Sequence, residues 1–317
     1  TRGFSLKNLS LIDMNLLKNK KIGVLGGGVS GEKEISLLSA KGVLEVFRRK
    51  ELDAVFIDIS NTCHNEIRDQ IISYNLDLAF IALHGGFGED GGIQRVLEDI
   101  NIPYTGSRPL SSLISMDKFL AKSIFLKTNV PTPDFLICAE FKNIPKNIEL
   151  PVVIKPSCSG SSLGISIVKE QMKLKSAFDL AFSYSHEIII ESYIEGRELT
   201  VGILDEKPLA VIEIKPKKGY FDFDNKYGDS KTDFIVPAEL EDCIYKKVQE
   251  TGVLAHNELG CRHFSRVDMI LAKDNRLLVL EVNSIPGLTS HSLLPLSAAA
   301  CGLNFDNLIL KMAELAL

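Results

Sequence analysis

The chain has 317 residues, of which 45% are hydrophobic and 24% are charged, and its formal net charge is −5 at pH 7. This hydrophobic fraction supports a folded core and excludes a wholly disordered chain. The negative charge excludes a general nucleic-acid-binding surface, because such surfaces need clustered lysine and arginine.

No apolar run approaches the roughly 20 residues that cross a bilayer, so we expect no membrane span. The N-terminal residues lack the apolar segment and small-residue cleavage site of a secretory signal. The six cysteines are scattered without a Cys-x-x-Cys pair, which is typical of reduced thiols. Together these features predict a cytoplasmic protein with no membrane partner.

Residues 21–110 predict a first α/β domain, and residues 1–20 are interpreted as an N-terminal extension. Residues Glu32–Arg49 have the period of an amphipathic helix between two short apolar runs. The order strand, helix, strand predicts a parallel sheet. The apolar runs typical of its buried strands are Lys21–Leu25, Ala54–Ile59 and Leu78–Leu83.

A glycine cluster follows the first strand. Gly26, Gly28 and Gly31 have GxGxxG spacing, and Asp58 ends the second strand, as in a dinucleotide-binding fold. A simple tight turn between strand and helix explains the same glycines. Glu32 argues against a dinucleotide, since a carboxylate in the first helical turn would repel a pyrophosphate. It suits an ammonium-bearing substrate better.

Residues 111–198 predict a central domain with its own alternation of strands and helices. Helices are expected at 117–127 and at about 171–184, and strands at Val152–Lys155, Ile165–Val168 and Glu187–Glu191. Between two of these strands, Lys155–Gly164 (KPSCSGSSLG) is rich in serine and glycine. Small residues after a strand-ending lysine favour a loop that surrounds phosphate oxygens, and a flexible hairpin tip is the alternative.

The end of this domain predicts a slot for a nucleotide base. Glu191 ends a predicted strand, Ile194 lies in the short connection that follows, and Glu198 comes after this connection. A strand that leaves one domain for the next offers an apolar wall with backbone polar groups at its edge. Glu198 is placed to accept hydrogen bonds from ribose hydroxyls, whereas a pair of surface charges beside a turn is the plainer interpretation.

Residues 199–317 predict a C-terminal domain. Strands are expected at Leu199–Leu204, Leu209–Lys215, Arg266–Ala272 and Leu277–Asn283, and helices at 238–259, about 291–300 and 304–316. Residues 216–237 lack any regular period. An irregular stretch of this length inside a folded protein is usually functional or disordered.

Four polar residues on the two late strands predict a metal site. Residues i and i+2 of a strand face the same side, so Arg266 shares a face with Asp268, and Glu281 with Asn283. In an adjacent antiparallel pair, the three oxygen ligands Asp268, Glu281 and Asn283 would converge. Such ligands suit Mg²⁺. A solvated sheet face is the alternative.

The segment that follows predicts an anion site. Gly287 can offer a backbone N–H, and Ser292 stands at the expected start of a helix. A substrate carboxylate is the ligand that such a site would take.

Taken together, these motifs resemble ATP-grasp enzymes, and most closely the D-alanine–D-alanine ligase family. The resemblance covers the chain from about Lys21 to the C-terminus and rests on motifs in the family's order: GGGVSGEKEIS, ALHGGFGEDGGIQ, PYTGS, SMDK, LPVVIKPSCSGSSLG, IIIESYIEGREL, KYGDSKTDF, SRVDMI and LEVNSIPGLTSHS. It implies an ATP-grasp architecture of three α/β domains, the first a Rossmann-like domain with a parallel sheet. It also implies ATP-dependent formation of D-alanyl-D-alanine for peptidoglycan synthesis, and a possible homodimer.

The resemblance also implies a role for each candidate residue. ATP would contact Lys118, Lys155, Ser161, Ser162, Glu191, Ile194, Glu198 and Lys226. The first D-alanine would contact Glu32 and His84, and the second Ser292 and Leu293. Tyr227, on a lid formed by residues 216–237, would lie near Ser161 and Glu32. Arg266 and the Gly287 N–H would stabilise an oxyanion, and Asp268, Glu281 and Asn283 would bind two Mg²⁺ or Mn²⁺ ions. Another ATP-grasp carboxylate–amine ligase with a different second substrate, and a non-catalytic nucleotide-binding homologue, are the alternatives.

Overall fold

Three β-sheets organise the chain in this computed structural model, which describes residues 12–145, 147–160, 163–215, 232–289 and 291–317. The strands are β1 Ile22–Gly27, β2 Ala54–Ile59, β3 Leu78–Ile81, β4 Phe135–Cys138, β5 Val152–Pro156, β6 Ser166–Val168, β7 Ile188–Ser192, β8 Gly196–Leu204, β9 Lys207–Lys215, β10 Asp233–Ile235, β11 Phe264–Ala272 and β12 Leu277–Asn283. The α-helices are α1 Met14–Leu17, α2 Lys33–Arg49, α3 His64–Ser73, α4 Gly86–Glu89, α5 Gly92–Asp99, α6 Pro109–Met116, α7 Lys118–Thr128, α8 Leu174–Phe182, α9 Asp242–Glu258, α10 Leu293–Ala300 and α11 Phe305–Glu314.

The first sheet is parallel and has the order β2-β1-β3, as the early apolar runs predict. All six residues of β1 are buried, which explains why this strand is an almost continuous apolar run. At Gly26 an added Cβ would lie 2.6 Å from Ala40 Cβ. The glycine therefore lets α2 pack closely on β1.

The second sheet is antiparallel, with the order β4-β7-β5-β6. Three of its strands are the predicted ones, within one or two residues. The edge strand β4 was not predicted, because four residues between proline-rich and polar segments give too short a pattern. Its register with β7 places Phe135 opposite Glu191.

The third sheet is antiparallel, with the order β10-β9-β8-β11-β12. Here the prediction that residues 216–237 are irregular is wrong for Asp233–Ile235, which pairs with β9 and places Asp233 opposite Lys215. A three-residue edge strand gains its hydrogen bonds from its neighbour, and so leaves little trace in local sequence. Residues 216–231 lie outside the described part of the chain.

The hydrophobic cores include residues from both sides of the domain boundaries that were predicted from the sequence. Leu17 is fully buried in a cluster that includes α2 and α11, so residues 12–20 of the predicted extension include part of the folded core. Helix α7 was assigned to the central domain, yet Ala121 and Phe125 pack in the core of the third sheet. No single helix in the described ranges is long and apolar enough to cross a membrane; α10 and α11 reach that length and apolar character only together, as a pair bent by 103°.

Candidate active site

A cavity of about 520 Å³ lies between the second and third sheets. Its apolar walls come from both sheets: Val153, Ile165, Ile167, Ile214, Ile270 and Leu280. The polar residues that line it include most of those predicted to hold ATP or metal: Lys118, Lys155, Glu191, Glu198, Asp268 and Glu281. Ile194 also lines it. The fold thus gathers residues that lie up to 163 positions apart around one space.

The predicted oxygen ligands face one another across β11 and β12. In the antiparallel register, Asp268 is opposite Glu281 and Arg266 is opposite Asn283. The strand periodicity and this register together put all four side chains on one face. The convergence expected from the two i, i+2 pairs is therefore present.

Asp268 is the centre of this group. Arg266 donates to both of its carboxylate oxygens, from Nε to Oδ1 at 2.9 Å and from Nη2 to Oδ2 at 2.7 Å. The Thr200 hydroxyl donates to Oδ1 at 2.6 Å, and the Asn283 amide donates to Oδ2 at 3.1 Å. These four hydrogen bonds fix the carboxylate in a nearly buried position.

The donor set fits a hard divalent cation. Two carboxylates and one amide carbonyl are oxygen ligands of the type that Mg²⁺ prefers. A cation shared with Asp268 requires the Asn283 amide to turn its oxygen inward, because its nitrogen now points to Asp268. Within the described ranges, no group of three or more His, Cys, Asp or Glu side chains has an arrangement for a metal. The candidate set has only two carboxylates, so it does not conflict with that finding.

Two of the cavity's lysines are held by ionic partners. Lys118, the first residue of α7, donates from Nζ to the Ser159 carbonyl at 2.7 Å and lies 3.3 Å from Glu281. Lys155 lies 3.0 Å from Glu191. Asp117 caps α7 by accepting from Phe119 N–H at 2.9 Å. The cap fixes the start of the helix and with it the position of Lys118.

One buried residue of this site was missed in the sequence. Lys122 is fully buried, and its Nζ lies 2.6 Å from Glu191 Oε2. Its spacing from Lys118 is i, i+4, which places both on one face of α7. That spacing was the available signal, but a pair of lysines on a helix usually marks a solvated face.

Glu32 lies where the first sheet meets the serine-rich loop. A Cβ at Gly85 would lie 2.4 Å from its Oε2, and a Cβ at Gly160 would lie 2.9 Å from the same atom. The two glycines therefore leave the space that the carboxylate occupies. Gly85 has φ +69°, a conformation that glycine adopts without strain.

His84 is buried and connects the first sheet to the segment after β12. Its Nε2 lies 2.8 Å from the Ser39 hydroxyl, and its Nδ1 lies 3.2 Å from the Ile285 carbonyl. The Glu89 carboxylate is 3.6 Å from Nδ1. This arrangement holds the ring firmly beside the loop that contains Gly85.

The three site residues predicted after β12, Gly287, Ser292 and Leu293, have different neighbours. Ser292 precedes α10 as expected, but its hydroxyl accepts from Thr289 N–H at 3.1 Å and does not cap the helix. Gly287 is adjacent, since an added Cβ there would lie 2.8 Å from the Ser292 hydroxyl oxygen. Leu293 is buried in an apolar cluster with Ile212 and Ile214.

Comparison with known proteins identifies the family. A family model described as "D-ala D-ala ligase C-terminus" matches residues 131–314, and one described as "D-ala D-ala ligase N-terminus" matches residues 62–107. The D-alanine–D-alanine ligase of Geotalea uraniireducens is 43% identical over 303 residues, covering 95% of this chain and 96% of the relative. The chain belongs to the D-alanine–D-alanine ligase family.

Solved structures agree with this assignment. The D-alanine–D-alanine ligase of Bacillus anthracis superposes with a TM-score of 0.81 at 33% identity, covering 94% of this chain and 97% of that one. The VanG D-Ala:D-Ser ligase of Enterococcus faecalis also has a TM-score of 0.81, at 32% identity and with 95% and 100% coverage. The predicted ATP-grasp fold is confirmed, and so is the expected class of ATP-dependent ligase.

Four residues implied by the family resemblance lie outside the described ranges: Ser161, Ser162, Lys226 and Tyr227. Their assignment to the phosphate loop and the lid stays a prediction. The described candidates occupy three places. One set lines the cavity with Asp268 and Glu281, with Arg266 and Asn283 beside them on the same two strands. Glu32 and His84 lie around the loop after β3, and Gly287, Ser292 and Leu293 lie in the segment after β12.

Proposed function

We propose that this protein joins two molecules of D-alanine to D-alanyl-D-alanine, converts ATP to ADP and phosphate, and supplies a precursor of peptidoglycan. The observation that supports this most is the cross-strand set Arg266, Asp268, Glu281 and Asn283, which adjoins a cavity with two buried lysines. That combination suits the phosphates of a nucleotide beside a carboxylate that is to be activated.

ATP would occupy the cavity between the sheets. The apolar walls would take the adenine, with Glu191, Ile194 and Glu198 around the base and ribose. Lys118 and Lys155 would contact the α- and β-phosphates, and Ser161, Ser162 and Lys226 would contact the remaining phosphate oxygens. Charge-assisted hydrogen bonds of this kind are among the stronger polar interactions in proteins.

The first D-alanine would bind with its ammonium on Glu32 and its body beside His84. The position of Glu32, against Gly85 and Gly160, supports this because it lies between the first sheet and the phosphate loop. The carboxylate of this D-alanine would receive the γ-phosphoryl group of ATP and become an acyl phosphate. A free carboxylate is a poor electrophile, and the transfer gives it a good leaving group.

The amine of the second D-alanine would then attack the acyl carbon, losing a proton as phosphate departs. Arg266 and the Gly287 N–H would stabilise the oxyanion, and loss of one such donor typically costs roughly 10²–10³ in rate. Ser292 would hold the carboxylate of this second molecule, with Leu293 against its methyl group. Tyr227 and the rest of the lid would exclude water, which otherwise hydrolyses the intermediate.

The fit of the oxygen ligands supports two Mg²⁺ or Mn²⁺ ions as cofactors, held by Asp268, Glu281 and Asn283. When bound, such ions neutralise the charge that develops on the transferring phosphoryl group. Arg266 has a second role here, because its two hydrogen bonds orient Asp268.

A second candidate is ligation of D-alanine to a different partner such as D-serine. The TM-scores with a D-alanine–D-alanine ligase and with a D-Ala:D-Ser ligase are equal. The shared fold does not select the second substrate. A homodimer in the cytoplasm stays a prediction.

Phosphate release by the purified protein tests both candidates. We expect release with ATP, Mg²⁺ and D-alanine, and dipeptide detected by mass spectrometry. A panel of D-serine and D-lactate beside D-alanine measures the choice of the second substrate. Turnover on D-serine above that on D-alanine would favour the second candidate, and no turnover on any D-amino acid would refute both.

A further inference from the structure

A buried group of three charges, Lys122, Lys155 and Glu191, lies at the wall of the nucleotide cavity. Lys122 and Lys155 contact the same carboxylate oxygen, Glu191 Oε2, at 2.6 Å and 3.0 Å. All three side chains are at least nine-tenths buried. Lys155 and Glu191 line the cavity, whereas Lys122 does not. Lys122 therefore reaches the nucleotide only through its two neighbours.

Both partners of the Lys122–Glu191 pair are ionised at neutral pH. Burial lowers the pKa of Lys122 to about 8, which leaves the ammonium protonated at pH 7. Burial alone would raise the pKa of the Glu191 carboxyl, but the charges of Lys155 and Lys122 outweigh it and bring that pKa below its ordinary value. With Lys155, the group carries one net positive charge.

Lys122 is also fixed to the third sheet. Its Nζ donates to the Thr132 hydroxyl at 2.5 Å, and that hydroxyl donates to the Val279 carbonyl on β12 at 2.8 Å. The centroid of the Phe135 ring lies 5.5 Å from Nζ. The ammonium thus stands where the two sheets that form the cavity meet.

A buried ion pair is weak evidence for a role in stability. Burial of an ammonium costs several kcal/mol, and well-packed apolar replacements of buried ion pairs are often neutral or stabilising. The balance of charges in this group affects the binding of a ligand. With Lys122 absent, Glu191 would neutralise Lys155, and the pair would present no net charge to a polyanionic ligand.

We propose that Lys122 is a positioning residue for ATP. It pairs with the Glu191 carboxylate from behind the cavity wall, so that Glu191 does not neutralise Lys155 and the charge of Lys155 remains available to the nucleotide phosphates. The proposal rests on the proposed use of the cavity for ATP. It adds a residue that has no contact with the ligand.

Calorimetric titration with ATP and Mg²⁺, without D-alanine, tests the proposal independently of turnover. For Lys122→Met we expect the Kd for ATP to rise about 10- to 100-fold, the range of a lost charge-assisted interaction. The same Lys122→Met substitution is also made in a Glu191→Gln background, where we expect it to change the Kd little, because no carboxylate is left there to neutralise Lys155. Lys127→Met, an exposed lysine on the same helix, is the matched control and leaves the Kd unchanged.

The Glu191→Gln background separates a charge effect from a structural one. If Lys122→Met does not fold, Lys122→Arg still carries the test, since it keeps the net charge and should bind ATP like the wild type. An unchanged Kd for Lys122→Met overturns the proposal, and so does an equally large loss of affinity when Lys122→Met is added to Glu191→Gln. Normal ATP binding with no phosphate release on D-alanine would instead contradict the proposed function and leave this inference intact.

Discussion

Glu281→Gln tests the proposed metal site with the smallest possible change in shape. Glu281 is opposite Asp268 on β12 and lies 3.3 Å from Lys118 Nζ. The substitution keeps the volume and the backbone register but removes one of the two carboxylates. The charge of the ligand set falls from two negative units to one, so we expect divalent cations to bind much more weakly.

The expected magnitude follows from two opposed effects. A catalytic divalent cation supplies several kcal/mol of transition-state stabilisation, so its loss should lower kcat/KM at least about 100-fold. Loss of the Glu281 charge also releases Lys118. At an effective dielectric constant of about 20, unit charges 3.3 Å apart attract by about 5 kcal/mol before desolvation is counted. The nucleotide alone should therefore bind as tightly as in the wild type, or more tightly.

Two measurements distinguish this result from misfolding. Phosphate release is titrated with Mg²⁺ at saturating ATP and D-alanine, and ATP binding is measured in the presence of a chelator. Asp274→Asn is the matched control, since Asp274 lies in the turn of the same hairpin and pairs with the exposed Arg276. Near-normal turnover of Glu281→Gln at saturating Mg²⁺ would refute the assignment of this residue to the metal.

Three further predictions concern acid stability, the first substrate and the second. Burial lowers the pKa of His256 to about 4, below its value near 6.5 in the unfolded chain, so its contribution to stability is complete above pH 6.5 and is lost as the pH falls towards 4. We expect roughly 2–3 kcal/mol of unfolding free energy to disappear between pH 7 and pH 4.5, and His256→Gln to remove that part of the slope in denaturant titrations. Gly85→Ala places a Cβ 2.4 Å from Glu32 Oε2 at φ +69°, so the KM for the first D-alanine should rise, and an unchanged KM would argue against Glu32 as the ammonium partner. Tyr227→Phe should relax the choice among D-alanine, D-serine and D-lactate, and unchanged selectivity in phosphate release would count against a lid role.

Much of the fold was visible in local sequence. The strands of the first sheet, the helix α2 and the hairpin of β11 and β12 were predicted within a few residues, because alternation and helical period are local properties. Helices α3, α5 and α6 were not predicted. The edge strand β10 was hidden in an apparently irregular segment, since a strand of three residues depends on its neighbour for its hydrogen bonds.

The chemistry of the site can be read from the amino-acid sequence: the serine-rich loop after Lys155, the Arg-x-Asp and Glu-x-Asn pairs, and the order of motifs that identifies the family. Which of these groups meet depends on the tertiary structure. The register that puts Asp268 opposite Glu281 is set by pairing across strands, and the burial of Lys122 is set by the docking of two sheets on α7. Local sequence patterns determine on which face of a helix or strand a side chain lies. The charged groups that the side chain meets on that face come from residues distant in the chain.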